Sequence, residues 1–301
     1  MIEQALYEHL KDRKDLAKFL ASYNCAPAIF NQEAPADMDE GWGCGSQYGR
    51  IVFTVDIQGD PARTMGGVLS VDILCKENEQ YPEEIEPVIR AAIHGFFFSS
   101  GTFTVAAQWK TSGYFTEVTN QVAGCTVTFD LLGFPVITTG VPDIISRINE
   151  WTAAIEGLHV INYDELPCQA WKPTGSDSAV YWRLVNDRDA GWVKNRYSTI
   201  WRTAVIRCHI FSRNYATAAT VARDINVRLY TAKRLLKTGE TPIMVNQRNT
   251  IDDGADPLRT GQLTVEGTYG VIVHFESDAT IQNINYDERS LSHGEQSQGQ
   301  A

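Results

Sequence analysis

Residues 203–236, TAVIRCHIFSRNYATAATVARDINVRLYTAKRLL, contain the change of rhythm that decides how the chain folds. Ala204, Ile206, Cys208 and Ile210 alternate with Thr203, Val205, Arg207 and His209, the period of two that sends one set of side chains to each face of a strand. From about Tyr215 the apolar positions become Ala218, Val221, Ala222, Ile225, Leu229, Ala232 and Leu236, spaced three and four apart along one stripe of a helix. The stretch predicts a strand and then a helix of several turns.

The same order stands earlier, in residues 68–98, VLSVDILCKENEQYPEEIEPVIRAAIHGFFF. Leu69, Val71, Ile73 and Cys75 alternate, and Ile85, Val88, Ile89, Ala92 and Phe96 then take the helical spacing. Laying Leu69 on Ala204 needs a shift of 135, and Ile85 on Ala218 a shift of 133. Two different elements agree on nearly one offset, which predicts a tandem duplication.

Working outward, residues 1–23 place Ile2, Leu6, Leu10, Leu16, Phe19, Leu20 and Tyr23 at helical spacings, an amphipathic opening helix. Residues 24–50 carry Pro, Gly and acids without periodicity and read as a long loop. Ile51, Phe53, Val55 and Ile57 alternate, and QGDPARTMGG turns the chain back into the strand at Leu69. The following helix begins at either Pro82 or Pro87, since proline fits a first turn. Phe103 to Lys110 and Gln121 to Leu132 read as a second strand pair bridged by the polar TSGYFTEVTN.

After the Pro/Gly joint FPVITTGVP, residues 134–142, Pro142 and Asp143 open a helix carrying Ile144, Ile148, Trp151 and Ile155 on one face. Residues 157–179 read as loop, Val180 to Val185 as strand, Asn186 to Ser198 as loop, and Pro242 to Arg248 and Leu263 to Phe275 as the closing strands. The expected fold is α+β, with domains at 1–134 and 143–276 joined by a linker at 135–142. Each domain reads α-β-β-α-β-β, its helices packed on a mainly antiparallel sheet. Residues 277–301 are polar and have almost nothing to bury.

With 43% hydrophobic and 21% charged residues over 301 positions, the composition is that of a soluble globular protein with room for two cores. No apolar run reaches the roughly 18 residues that span a bilayer, and charges stand where a signal peptide would be apolar. The expectation is therefore a cytoplasmic site of synthesis and no membrane partner. The six cysteines form no CxxC pair and read as reduced thiols. The formal charge of −11 is uneven, with 9 basic and 18 acidic residues over 1–140 against 12 basic and 3 acidic from Arg183 to Lys237. That basic run is either a solvated face or a surface that meets an acidic neighbour.

Catalytic patterns are scarce. Gly41-Trp42-Gly43-Cys44-Gly45 lacks the flanking elements and the Gly-Lys-Ser/Thr of a phosphate loop, and Asp252, Asp253 and Asp256 do not fall at calcium-loop positions. The histidines are scattered and no Gly-x-Ser-x-Gly elbow occurs. Asp72 with Gln108-x-Lys110 has the residue types of a metal-dependent nuclease, but a helix stands between the two strands. Trp171, Trp182, Trp192 and Trp201 gather with Tyr181 and Tyr197 among Arg183, Arg188, Lys194, Arg196 and Arg202. Core packing accounts for about two of these aromatics, and the others have the composition of interface anchors.

The runs TVDIQGDPARTMGGVLSVDILCKENEQ plus EEIEPVIRAAIHGFF, and IWRTAVIRCHIFSRNYATAATVARDINVRL, resemble the strand–turn–strand–helix units of tail-terminator and head–tail completion (neck) proteins of tailed bacteriophages. The resemblance covers most of both halves and is one of pattern. It implies a structural virion protein, without catalysis or cofactor, forming a ring that joins the head connector to the tail tube. The implied partners are further copies of the chain (six, or three mimicking six), the neighbouring neck and tube proteins, and genomic DNA in the channel. The candidate subunit-interface or DNA-channel residues are Trp171, Trp182, Arg183, Trp192, Arg196, Arg202, Arg223 and Arg228. The expected interface loops are 24–50 and 157–200. A tube or baseplate subunit is the alternative, and a metal-dependent nuclease the more remote one.

Overall fold

A computed structural model describes residues 2–58, 66–100, 103–118, 121–140, 142–163, 166–175, 177–190, 199–236, 241–246 and 248–272. The opening segment forms two helices where one was expected. Helix α1 (Ile2–Lys11) buries Ile2, Ala5, Leu6 and Leu10, and α2 (Lys14–Ala17) is a single turn. Arg13 is extended between them and its guanidinium turns to Asp15 at 2.7 Å. The chain then makes a two-residue ladder, β1 (Ser22–Tyr23) on β2 (Ala26–Pro27), and a short strand β3 (Ile29–Asn31).

Strand β4 (Arg50–Gln58) and β5 (Gly66–Lys76) pair antiparallel, and Ile51, Phe53, Leu69, Val71, Ile73 and Cys75 all point to one core. Helix α3 (Pro82–Ile93) begins at the first of the two candidate prolines and carries Pro87 inside it. It lays Ile85, Ile89, Ala92 and Ile93 on that core. Strands β6 (Phe97–Ser99), β7 (Thr104–Glu117) and β8 (Val122–Phe134) complete the sheet. The polar TSGYFTEVTN is thus mostly strand. Its register against β8 is set by Cys125, Val127 and Phe129, which are buried on the core face.

The second half repeats the course. Helix α4 (Ile144–Ala153), capped by the Asp143 carboxylate on the amides of Ile145 and Ser146, precedes β9 (Leu158–Val160). Strand β10 (Ala170–Trp171) follows, then β11 (Ser178–Asp189), β12 (Thr199–Phe211) and helix α5 (Tyr215–Ala232). The chain closes through β13 (Arg234–Leu235), β14 (Ile243–Val245), β15 (Thr250–Ile251) and β16 (Leu263–Ile272).

The first sheet runs β3-β4-β5-β8-β7-β6 and the second β9-β11-β12-β16-β14-β13. In each, the first pair is parallel and every later pair antiparallel. Each sheet buries one face against its own helices, around α1 and α3 in the first and α4 and α5 in the second. The molecule is an α+β protein of two such units. Strand β10 breaks the symmetry: it leaves the second half and pairs with β6, Trp171 against Phe97, as a seventh strand of the first sheet.

The helix-free faces of the sheets meet in a third apolar cluster. Phe97, Ala106 and Phe134 of the first half pack on Ile161, Trp171, Ala179, Tyr181 and Phe211 of the second. Phe211 stands edge-on to Phe97 and Phe134, with ring centroids 5.1 and 5.5 Å apart, and Tyr181 donates its hydroxyl to the Pro135 carbonyl at 3.0 Å. The halves are therefore joined by an interior of their own, with Pro135 and Ile137 of the expected linker built into it. The polar tail from 277, like Trp192 and Arg196, lies outside the described residues.

Candidate functional site

Two strands are longer than the neighbours that cover them. On β7, β6 pairs only with Thr104–Ala106, so the edge from Lys110 to Glu117 has no strand beside it among the described residues. Trp109, Tyr114, Phe115 and, just beyond the strand, Val118 are exposed there. On β11, β9 pairs only with Ser178–Val180, so among the described residues β12 is the one strand paired with Tyr181 to Asp189. Unpaired N–H and C=O groups in a row are a template for another chain, and native edges of this length are ordinarily covered or charged. The β7 edge carries charge at its two ends, Lys110 and Glu117, and between them it presents only Thr, Ser, Gly, Tyr and Phe.

The exposed part of β7 is held rigidly from the helix side. The Trp109 indole N–H donates to Ser112 Oγ at 3.0 Å, and Ser112 donates to the buried carboxylate of Glu86 at 2.7 Å. Arg90 approaches Glu86 at 3.7 Å and lies over the Trp109 ring. This network positions the edge from α3.

Between the halves lies a cleft of about 620 Å³. Its floor is apolar, formed by Phe97, Ala106, Phe211, Leu258 and Ala218, and its rim carries Lys172, Arg213, Gln108 and His94. Lys172 donates to the His94 carbonyl at 2.9 Å and lies over Phe96, and neither it nor Arg213 pairs with a carboxylate among the described residues. His94 accepts the Trp109 amide at Nδ1, 3.1 Å away, so the neutral ring carries its proton on Nε2. Burial, then Lys172 and Arg90, hold its pKa below the ordinary value. Asp256 is the acid on the lining; its carboxylate accepts the Leu258 amide and lies 3.6 Å from Arg259.

A second feature stands at the far edge of the first sheet, in the loop after β3. Met38 is 95% exposed, more than any other large apolar side chain described. The loop that shows it is braced: Arg50 donates to Asp37 at 2.7 Å, Tyr23 to Asp39 at 2.9 Å, and the Trp42 indole to the Ala36 carbonyl at 3.0 Å. Trp42 itself is buried against Tyr23 and Phe30. The Gly41–Gly45 cluster is thus the end at which this loop is anchored, through Trp42.

The residues singled out from the sequence separate. Trp171 and Trp182 are corrected: both are buried inside the chain and cannot contact another one. Trp171 belongs to the cluster between the sheets, with His159 edge-on at 5.2 Å, and Trp182 fills the second core, donating to Thr152 Oγ1 at 2.9 Å. The first part of the expected interface loop 157–200 is likewise used within the chain, through β9 and β10. Arg183 stands across from Arg207 on the helix-free face, half-buried. Arg202 is bound to Asp187 at 2.9 Å and Asp189 at 3.3 Å, Arg223 to Asp253, and Arg228 to Asp224 at 2.7 Å. Own-chain carboxylates thus offset much of the basic run.

The nuclease set does not converge. Asp72 faces Thr126, whose hydroxyl it accepts at 2.6 Å, whereas Gln108 and Lys110 lie near Asp130, four residues further along β8. Among the described residues no group of three or more His, Cys, Asp or Glu could hold a metal ion. Cys75, Cys125 and Cys208 are buried free thiols that burial holds protonated, the first two with pKa values pushed up to about 11. No described helix is long and apolar enough to cross a membrane. No family model, curated protein or solved structure matches the chain.

Proposed function

We propose that the chain is a structural virion protein of a tailed bacteriophage, a tail terminator or neck component whose two halves are copies of one module, built to bind further copies of itself in a ring. The observation that carries the self-assembly part is the open edge of β7 from Lys110 to Glu117, rigidly backed by the Trp109–Ser112–Glu86 network. Such an edge supplies main-chain hydrogen bonds to a neighbouring strand, while Tyr114 and Phe115 supply side-chain contact on its two faces. A second invitation is the side of β11 that β9 leaves without a strand beyond Val180 among the described residues. The matching strand order of the two sheets supports the duplicated-module reading. The virion assignment rests on the sequence resemblance.

In this reading the ring leaves a central channel for DNA, and the ion-paired arginines of α5 give that channel a weakly charged wall. Electron microscopy of the purified full chain, and of particles labelled with an antibody to it, tests the proposal. Single closed rings and a label at the head–tail junction are expected. Long helical stacks would instead indicate a tube protein, and a monomeric chain absent from particles would end the reading.

A further inference from the structure

Met38 and the inter-domain cleft have complementary chemistry and lie at opposite edges of the first sheet. The side chain is almost wholly in water, although burying a methionine is worth about 1.5–3 kcal/mol. Asp37, Asp39 and Glu40 flank it; Arg50 pairs with Asp37, and Asp39 and Glu40 have no cation beside them among the described residues. The cleft offers the converse, an apolar floor of Phe97, Phe211 and Leu258 with the cations Lys172 and Arg213 on its lining, where the one acid described, Asp256, lies 3.6 Å from Arg259.

The loop follows β3, and the cleft opens beside β6, five strand spacings away. At about 4.8 Å per spacing that is roughly 24 Å, too far for the braced loop to reach its own cleft. We propose that the Met38 loop of one copy seats in the cleft between the two halves of the next, Met38 on the apolar floor and the Asp39 and Glu40 carboxylates against Lys172 and Arg213. The contact joins two different patches, so it is head-to-tail and closes into a ring when the rotation per subunit divides a full turn. It rests on the self-assembly reading above and names a surface which that reading does not.

A benzophenone-bearing residue placed at position 38 of full-length, isotopically labelled chain, mixed with unlabelled chain, tests the contact. Irradiation and mass spectrometry should give cross-links from position 38 to the segments around Lys172 or Arg213 of the other isotope. Met38→Asp, and separately Lys172→Glu with Arg213→Glu, should raise the concentration for half-assembly about tenfold to a hundredfold. Met38 and Arg213 are exposed and Lys172 is half-buried, so melting curves recorded on the same variants separate a loss of association from a loss of stability. Rings that form with cross-links elsewhere, or on another virion protein, would overturn the Met38 contact and leave ring assembly standing. A wild-type chain that stays monomeric would overturn both.

Discussion

Trp182 shows how one residue type admits two readings until its strand's facing is known. In sequence it belongs to a crowd of Trp, Tyr and Arg with interface composition. In the fold it alternates with Tyr181 and Arg183 on β11, and only its own face looks onto α4 and the second core. Replacing Trp182 with Ala should cost about 3–5 kcal/mol of stability, measurable by chemical denaturation. A change under about 1 kcal/mol would contradict its place in the core.

His209, on the opposite face of the neighbouring strand, is 2% exposed, and its Nδ1 lies 2.8 Å from the Pro257 carbonyl. Burial holds its pKa at about 4, against 6.5 in an unfolded chain. The fold favours the neutral ring, so this stabilisation is complete above pH 6.5 and is lost as pH falls from 6.5 to 4. The loss is on the order of 3 kcal/mol. Urea titrations across that window should show it, and His209→Gln should flatten the slope. An identical slope in the variant would mean that other groups carry the effect. Nothing in the local sequence marks His209 as buried on both sides, because the partner surface comes from residues 48 positions away.

At the scale of elements, legibility followed local burial. Strands β5 and β12 and helices α3 and α5 were readable because each buries one continuous face, which imprints a period of two or of 3.6 on the residues. The distal part of β7 was not, since Lys110 to Glu117 is largely exposed on both faces and is held as strand by its register with β8. Strand β10 was invisible for a similar reason, being two residues whose partner belongs to the other half. The open β7 edge was thus hidden in what looked like a loop, and no sequence pattern pointed to the cleft.

The edge makes its own prediction. Tyr114→Lys together with Phe115→Lys should abolish self-association, because like charges cannot stack edge to edge. The melting temperature of the monomeric fold should move little, since both side chains are exposed, and surface changes usually stay within about 0.5 kcal/mol. Sedimentation velocity and thermal melts on the same samples separate these effects. Assembly that survives the double change would move the contact elsewhere.

At the scale of the whole molecule, two units with one strand order are fixed together by Phe97, Phe134, Tyr181 and Phe211, and by the strand the second unit lends to the first. A fixed angle between the units matters for a ring, because any freedom there is multiplied around the circle. Phe134 meets the other three rings at once, with centroids 6.0 Å from Phe97, 5.0 Å from Tyr181 and 5.5 Å from Phe211. Phe134→Ala should cost about 3–5 kcal/mol and split one calorimetric transition into two. A single transition at the original temperature would show that the halves are not coupled through this cluster.

The most direct test of the assembly claim is the native mass of the full-length chain at rising concentration. Closed self-association predicts one dominant species at a fixed whole-number multiple of 33.6 kDa, six or three chains, that stops growing once formed. A mass that remains at one chain throughout, or that climbs without limit, would contradict it.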